Sequence, residues 1–302
     1  MKKTLLLIAM AMCLIAVPSS SAKKKVSKNN TNAIWVWSKY MTEINLDEMV
    51  RKDIGHIVLH EKSFEVHGQD STLAFIKAAK KRGITVHVWM QCCYRNGKWA
   101  YPMDDSLKCY KQDFYDETVA RAVNYVKMGV QGIHLDYIRF GGTAHKHDYP
   151  ENGASATGCI TEFCRQIHDG VKAANPKVIL SAAVMPEPDS EHYYGQNPEQ
   201  MGQYIDIFMP MIYRHSPGYR HNGEGWSQRV ANWFAEKGAP AKVWAGTTTY
   251  TCTEHGGEED VIPMKADDIL NECRDFNDTK ATGIVLFRYG LGEIPDLHNL
   301  RK

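Results

Sequence analysis

Eight short runs rich in β-branched and aromatic residues alternate with eight stretches of helical periodicity between residues 33 and 302. The strand-like runs occupy 33–40 (AIWVWSKY), 56–62, 84–91, 132–140, 178–188, 206–213, 242–250 and 283–290. Helical runs follow each of them, at 46–54, 71–83, 116–129, 158–175, 197–205, 227–238, 265–276 and 296–302. The strands are apolar along almost their whole length, so both faces need cover, which a parallel sheet wrapped by helices supplies. Eight such pairs predict an α/β fold: a single (β/α)8 TIM barrel.

The connections have a direction. Links from helix to next strand are short, as at 82–83, 129–131 and 175–177, whereas links from strand to helix are long and rich in aromatic and titratable groups. Residues 94–115 contain Tyr94, Trp99, Tyr101, Tyr110, Phe114 and Tyr115; 141–157 contain His145, His147, Asp148 and Tyr149; 215–226 contain Tyr219, Arg220, His221, Glu224 and Trp226. A barrel elaborated on the strand-to-helix side is built to hold a ligand there. Flat rings beside forked polar groups suit sugars, whose faces are apolar C–H and whose edges are hydroxyls.

Residues 1–22 have the pattern of a signal peptide: Lys2 and Lys3, an apolar run from Leu5 to Val17, then Ser20, Ser21 and Ala22. That run is too short to span a bilayer. The mature chain is therefore expected to start at Lys23 and to be secreted or periplasmic, with a disordered polar leader at 23–32 and the barrel at 33–302. A formal net charge of +1 gives no electrostatic reason to expect nucleic acid. Seven cysteines remain after the signal, an odd number. Cys93 and Cys109 are placed to close one loop, with free buried thiols the competing expectation. No Cys/His spacing of a structural zinc site is present, and no cofactor is expected.

The fourth strand-like run carries the strongest chemical signal. In GVQGIHLDYIRF (129–140), His134, Asp136 and Ile138 share one face and Asp136 ends the strand, where barrels place their chemistry. The competing reading is a structural carboxylate that caps the strand or pairs with Arg139. Glycoside cleavage ordinarily uses two carboxyl groups, about 5 Å apart when configuration is retained and about 6.5–9.5 Å when it is inverted. Glu187, stiffened by Pro186 and Pro188 at the end of the fifth run, is the first choice for the second, as proton donor to an ionised Asp136. Glu61, Glu254 and Glu293 are the alternatives. Gln91, Arg139, Tyr213, Arg214, Arg288, Tyr289 and Glu61 near strand ends, with Trp99 in the loop after the third run, are expected to contact substrate, while Trp35 and Trp37 are expected to pack against helices.

GVQGIHLDYIRF also resembles the strand-four motif of glycosyl-hydrolase-like barrel families, roughly G-h-D-x-I-x-h-D-Y-h-R-F/Y. IDIFMPMIY (205–213) and GIVLFRYG (283–290) are similar to their sixth and last strands. The resemblance implies a catalytic Asp136 with Arg139 and Tyr213 in the site, and a carbohydrate substrate. It is more distant from the chitinase-type motif of glycoside hydrolase family 18, because Ile138 stands where that family has its acid Glu. Two other functions fit the same barrel: one that binds carbohydrate without cleaving it, and a metal-dependent hydrolase or deacetylase served by His60, His87 and His134.

Overall fold

Eight parallel strands close on themselves in the computed structural model, which describes residues 25–216, 218–219, 222–253 and 260–300. They are β1 (Asn32–Val36), β2 (His56–His60), β3 (Thr85–Gln91), β4 (Gly132–Asp136), β5 (Ile179–Val184), β6 (Ile207–Pro210), β7 (Lys242–Thr248) and β8 (Gly283–Phe287). Ala33 pairs with His56 on one side and Val285 on the other, which closes the ring. The long helices α1 (Leu46–Arg51), α2 (Gln69–Lys81), α3 (Gln112–Lys127), α4 (Ala156–Ala174), α5 (Trp226–Lys237) and α6 (Ala266–Arg274) surround it. The fold is the expected single (β/α)8 barrel. No helix among the described residues is long and apolar enough to cross a membrane.

Strand alternation sorts the core into two layers. Ile34, Val36, Ile57, Leu59, Val86, Val88, Ile133 and Leu135 face the helices. On the helix side, α4 presents Cys159, Ile160, Phe163, Ile167 and Val171 from one stripe, and Ser155 caps it by accepting the Gly158 N–H at 3.0 Å. The other strand face fills the lumen with Ala33, Trp35, Val58, Trp89, Met209, Trp244 and Val285. Trp35 and Trp37 thus point inward and not at helices. They follow the inward parity of Ala33, and the lumen is wide enough to take an indole.

The lumen also holds a ladder of neutral histidines. The Trp35 indole N–H donates to His134 Nε2 (3.2 Å), so the His134 proton sits on Nδ1 and points at Ser181 Oγ, 3.0 Å away. At the other end, His56 Nε2 lies 2.9 Å from the Asn30 carbonyl, which only accepts, so His56 carries its proton there. Its Nδ1 is left to accept from His87 Nε2 at 3.0 Å, and His87 Nδ1 lies 3.4 Å from the Ser181 hydroxyl. Gly132 makes this possible, since a Cβ there would sit 2.4 Å from His87 Nδ1. Burial holds His56 near pKa 4, His134 near 3 and His87 well below the ordinary value. These rings spend their nitrogens on the ladder, and among the described residues no three His, Cys, Asp or Glu side chains are grouped to hold a metal.

Several local expectations are corrected. The described part of the leader is ordered: Val26 is buried and its N–H donates to the Arg82 carbonyl at 3.0 Å, while Asn30 and Asn32 both bind Asp53. Composition suggested disorder, but one apolar residue and two amides suffice to dock the segment under the barrel. All seven described cysteines are free, with Cys93 buried and Cys109 exposed. Among the described residues, the helical patterns at 197–205 and 296–302 yield one turn each, Pro198–Met201 and Leu297–Asn299.

Candidate active site

Asp136 ends β4 on the face it shares with His134, directly above the ladder, and is only partly exposed. The Trp89 indole N–H donates to Oδ2 at 2.9 Å and the Tyr137 backbone N–H to Oδ1 at 2.7 Å. Sequence reasoning missed Trp89, although its period-two relation to His87 and Gln91 marks it as inward-facing. Tyr137 adopts a left-handed conformation (φ 52°), which costs roughly 1–2 kcal/mol in a non-glycine residue. The turn brings its ring to Tyr94 (5.0 Å) and Trp99 (5.8 Å). Burial raises the Asp136 carboxyl above its ordinary pKa, opposed by the Tyr137 and Trp89 donors and by the charge of Arg139.

Arg139 sits in a cage of rings. Its guanidinium lies 5.1 Å from the Trp99 ring, 5.2 Å from Tyr137 and 5.3 Å from Tyr194. Its charge acts on Asp136 on one side and on the Tyr219 phenol on the other. Tyr219 donates to Glu187 Oε1 at 2.5 Å and stacks on Trp226, and Glu187 Oε2 is buried with no hydrogen-bond partner. Glu187 therefore has one oxygen clamped and the other unoccupied. Nothing in the sequence pointed to that clamp, because Tyr219 and Glu187 lie 32 residues apart.

The rest of the mouth is an aromatic floor. Tyr213 stacks on Phe287 (5.2 Å, 21°), Trp37 stacks on His60 (4.7 Å), and Trp89 lies 4.9 Å from both Trp37 and His60. Burial pushes the Tyr213 phenol upward, and the Tyr250, Asp136 and Tyr137 groups add to the shift. The Lys62 N–H donates to His60 Nδ1 at 3.2 Å, which leaves the ring proton on Nε2. Burial lowers His60 to about 4, with the Lys62 charge acting the same way and the flanking Gln91 amide opposing both. Gln91 is opposite Asp136 in the sheet register, and Arg288 is buried with its guanidinium 5.7 Å from Trp37.

Asp136, Glu187, Arg139, Tyr213, Gln91, Arg288 and Trp99 thus lie at the C-terminal end of the barrel or in the loops above it. Glu61 does not join them. Its Oε1 accepts the Gln91 backbone N–H (2.9 Å), its Oε2 the Tyr125 hydroxyl (3.3 Å), and Arg121 lies 3.7 Å away, so it ties the sheet to α3. Strand parity explains the correction, because His60 points inward and its neighbour must point out. Glu293 accepts the Ala266 N–H at the start of α6 and binds Lys265, and Arg214 pairs with Asp275. Glu254, Arg220, His221 and the signal segment lie outside the described residues. Clefts of about 750 and 660 Å³ open beneath the opposite end of the barrel, around Asn30 and Thr31, and contain none of these groups.

A closed parallel barrel with a partly buried carboxylate at the end of its fourth strand, set in a ring-lined mouth, is a glycosidase-like barrel. The chain belongs to the DUF4015 family, described as a "putative glycosyl hydrolase domain", whose model matches residues 64–229, more than half of the sequence. Solved structures of similar fold include a class V chitinase from Pseudomonas fluorescens Pf-5, with TM-score 0.62 and 16% identity over 90% of this chain and 98% of that one. The spore cortex-lytic enzyme SleL of Bacillus megaterium QM B1551 aligns with TM-score 0.59 and 12% identity over 91% and 73%. A fungal β-1,4-galactanase aligns with TM-score 0.57 and 12% identity over 85% and 89%. At these identities the likeness is one of fold. No curated protein sequence matches the chain.

Proposed function

We propose that the protein is an exported glycoside hydrolase that cleaves a poly- or oligosaccharide with Asp136 as the ionised partner and Glu187 as proton donor. The observation that carries this reading is the pairing of environments at one mouth. Both Asp136 oxygens accept fixed donors, which suits a carboxylate that stays charged opposite developing positive charge on the sugar. Glu187 has one oxygen held by Tyr219 and one unoccupied, where a transferable proton can sit. Arg139 acts on Asp136 and on Tyr219, the partner of Glu187, and the surrounding rings offer flat surfaces to a pyranose. The family supports the reaction class. Ile138, wholly buried, supports a donor other than the chitinase-type one, since it stands at that acid's position and has no proton to give.

The test is digestion of a glycan library by wild-type, Asp136→Asn and Glu187→Ala proteins. Asp136→Asn is expected to lose at least about 10³-fold in turnover with its melting temperature unchanged or slightly raised, because a partly desolvated charge is removed. Glu187→Ala is expected to regain activity with azide or with an activated leaving group. An active Asp136→Asn protein defeats the proposal. Export is checked by N-terminal sequencing of protein recovered outside the cytoplasm, where a start at Lys23 is expected.

A further inference from the structure

The mouth divides into two sectors. Asp136 ends β4 and Glu187 follows β5, so both proposed carboxyl groups belong to one side of the ring, whereas the ends of β8, β1 and β2 carry Arg288, Trp37 and His60. Contact along this second arc is continuous. The Arg288 guanidinium lies 5.7 Å from the Trp37 ring, Trp37 stacks on His60 at 4.7 Å, and His60 meets Trp89 at 4.9 Å. Trp89 in turn donates to Asp136 at 2.9 Å, so a single indole separates His60 from that carboxylate.

Two donors on the arc have no acceptor. Trp37 Nε1 and His60 Nε2 are buried atoms that lack a hydrogen-bond partner among the described residues. An indole nitrogen only donates, and His60 Nδ1 already accepts the Lys62 N–H at 3.2 Å, so Nε2 carries the ring proton. The Gln91 amide flanks His60 outside hydrogen-bond geometry. Unpaired buried donors are costly, and two of them on stacked rings mark a position that an incoming acceptor completes. A sugar hydroxyl suits that position poorly, because it brings a proton of its own and meets two donors. A carboxylate accepts from both. Charge favours the anion over a neutral carbonyl: the Lys62 ammonium acts on His60 and the Arg288 guanidinium lies beside Trp37. Asp136, beyond the Trp89 indole, is the opposing charge, and the Arg139 charge acts against it.

We infer that the Trp37–His60 pair seats a carboxylate, and that the sugar bound over Asp136 is an acidic one, its carboxylate carried either on the ring of a uronic acid or on a lactyl ether. The inference rests on the hydrolase reading for where the sugar sits. It goes further in naming the substituent that the site recognises.

Chemical reduction of the ligand tests this without altering the protein. Oligogalacturonate, alginate, glucuronoxylan and soluble peptidoglycan strands are each offered before and after carbodiimide-activated borohydride reduction, which turns the carboxylate into a hydroxymethyl group and leaves the linkages intact. Binding is titrated with Asp136→Asn protein, and cleavage is followed with wild type. The expected result is that one of the four binds about 100-fold tighter before reduction than after, and that Trp37→Phe or His60→Phe, added to Asp136→Asn, lowers this ratio about tenfold. Which glycan responds separates a uronate from a lactyl ether. Equal binding before and after reduction, or failure of all four to bind, overturns the inference, and cleavage of a neutral glycan by wild-type protein then leaves hydrolysis standing. A carboxylate dependence that both variants leave intact also overturns it, because the carboxylate is then held elsewhere. A dependence that the variants weaken, with no cleavage by wild-type protein, keeps the seat and removes the hydrolase reading. Phenylalanine keeps a ring in each stack, so both variants are expected to fold, which a melting curve checks.

Discussion

Both oxygens of Asp136 are engaged by groups that cannot accept a proton from it, the Trp89 indole and the Tyr137 amide. Each favours the ionised form and offsets part of the burial, which raises the carboxyl above its ordinary pKa. Trp89→Phe keeps the ring and removes the donor, so it isolates that single bond. Turnover is expected to fall about 10- to 100-fold, the equivalent of roughly 1.5–3 kcal/mol for a hydrogen bond to a charged group. The sign of the accompanying pH effect follows from the same balance: with one opposing donor gone, the carboxyl rises further, and the acidic limb of the kcat profile moves to higher pH. An unmoved limb would show that Asp136 is not the group titrating there. At this scale the strand-end aspartate was legible from local spacing, whereas its indole partner lies 47 residues away and was not.

Elements carry a division of labour that single residues conceal. Outward faces of β2, β3 and β4 are aliphatic and hold the helices, while their inward faces contribute His56, His87 and His134 to the ladder. Ser181 on β5 is the hinge of that ladder, since its hydroxyl joins His134 on β4 to His87 on β3. Ser181→Ala leaves two buried ring nitrogens without a partner, and is expected to destabilise the fold by about 2–3 kcal/mol. Chemical denaturation followed by circular dichroism measures it; an unchanged midpoint would mean that the ladder contributes nothing to stability. The histidines' shared parity could be read along each strand. Their mutual bonding could not, because it depends on how the strands stagger around the barrel.

For the whole molecule, buried neutral histidines predict a fold that weakens in mild acid. His56 and His60 titrate near 4 when folded but near 6.5 when unfolded, and His134 lies lower still. Below pH 6.5 the unfolded chain therefore binds protons that the folded chain refuses, so stability present above 6.5 is lost as pH falls toward 4. Each histidine contributes about 1.5 kcal/mol of that loss between pH 6.5 and 5 if it titrates independently. Asp136 has the opposite sign, because its folded pKa is raised and acidification relieves a desolvated charge. Urea midpoints at pH 7 and pH 5 decide the matter, and equal midpoints contradict it.

Alternation of strand and helix, the two-residue alternation of faces along each strand, and the placing of Asp136 at a strand end all follow from periodicities of two and 3.6 residues. Such periods are local, so the sequence alone determined them. Tertiary structure decided what depends on segments meeting across the barrel. It set Tyr219 on Glu187, turned Glu61 toward α3, docked Val26 beneath Arg82 and kept Cys93 from Cys109. Those outcomes depend on loop paths and strand stagger, which no short stretch of sequence encodes.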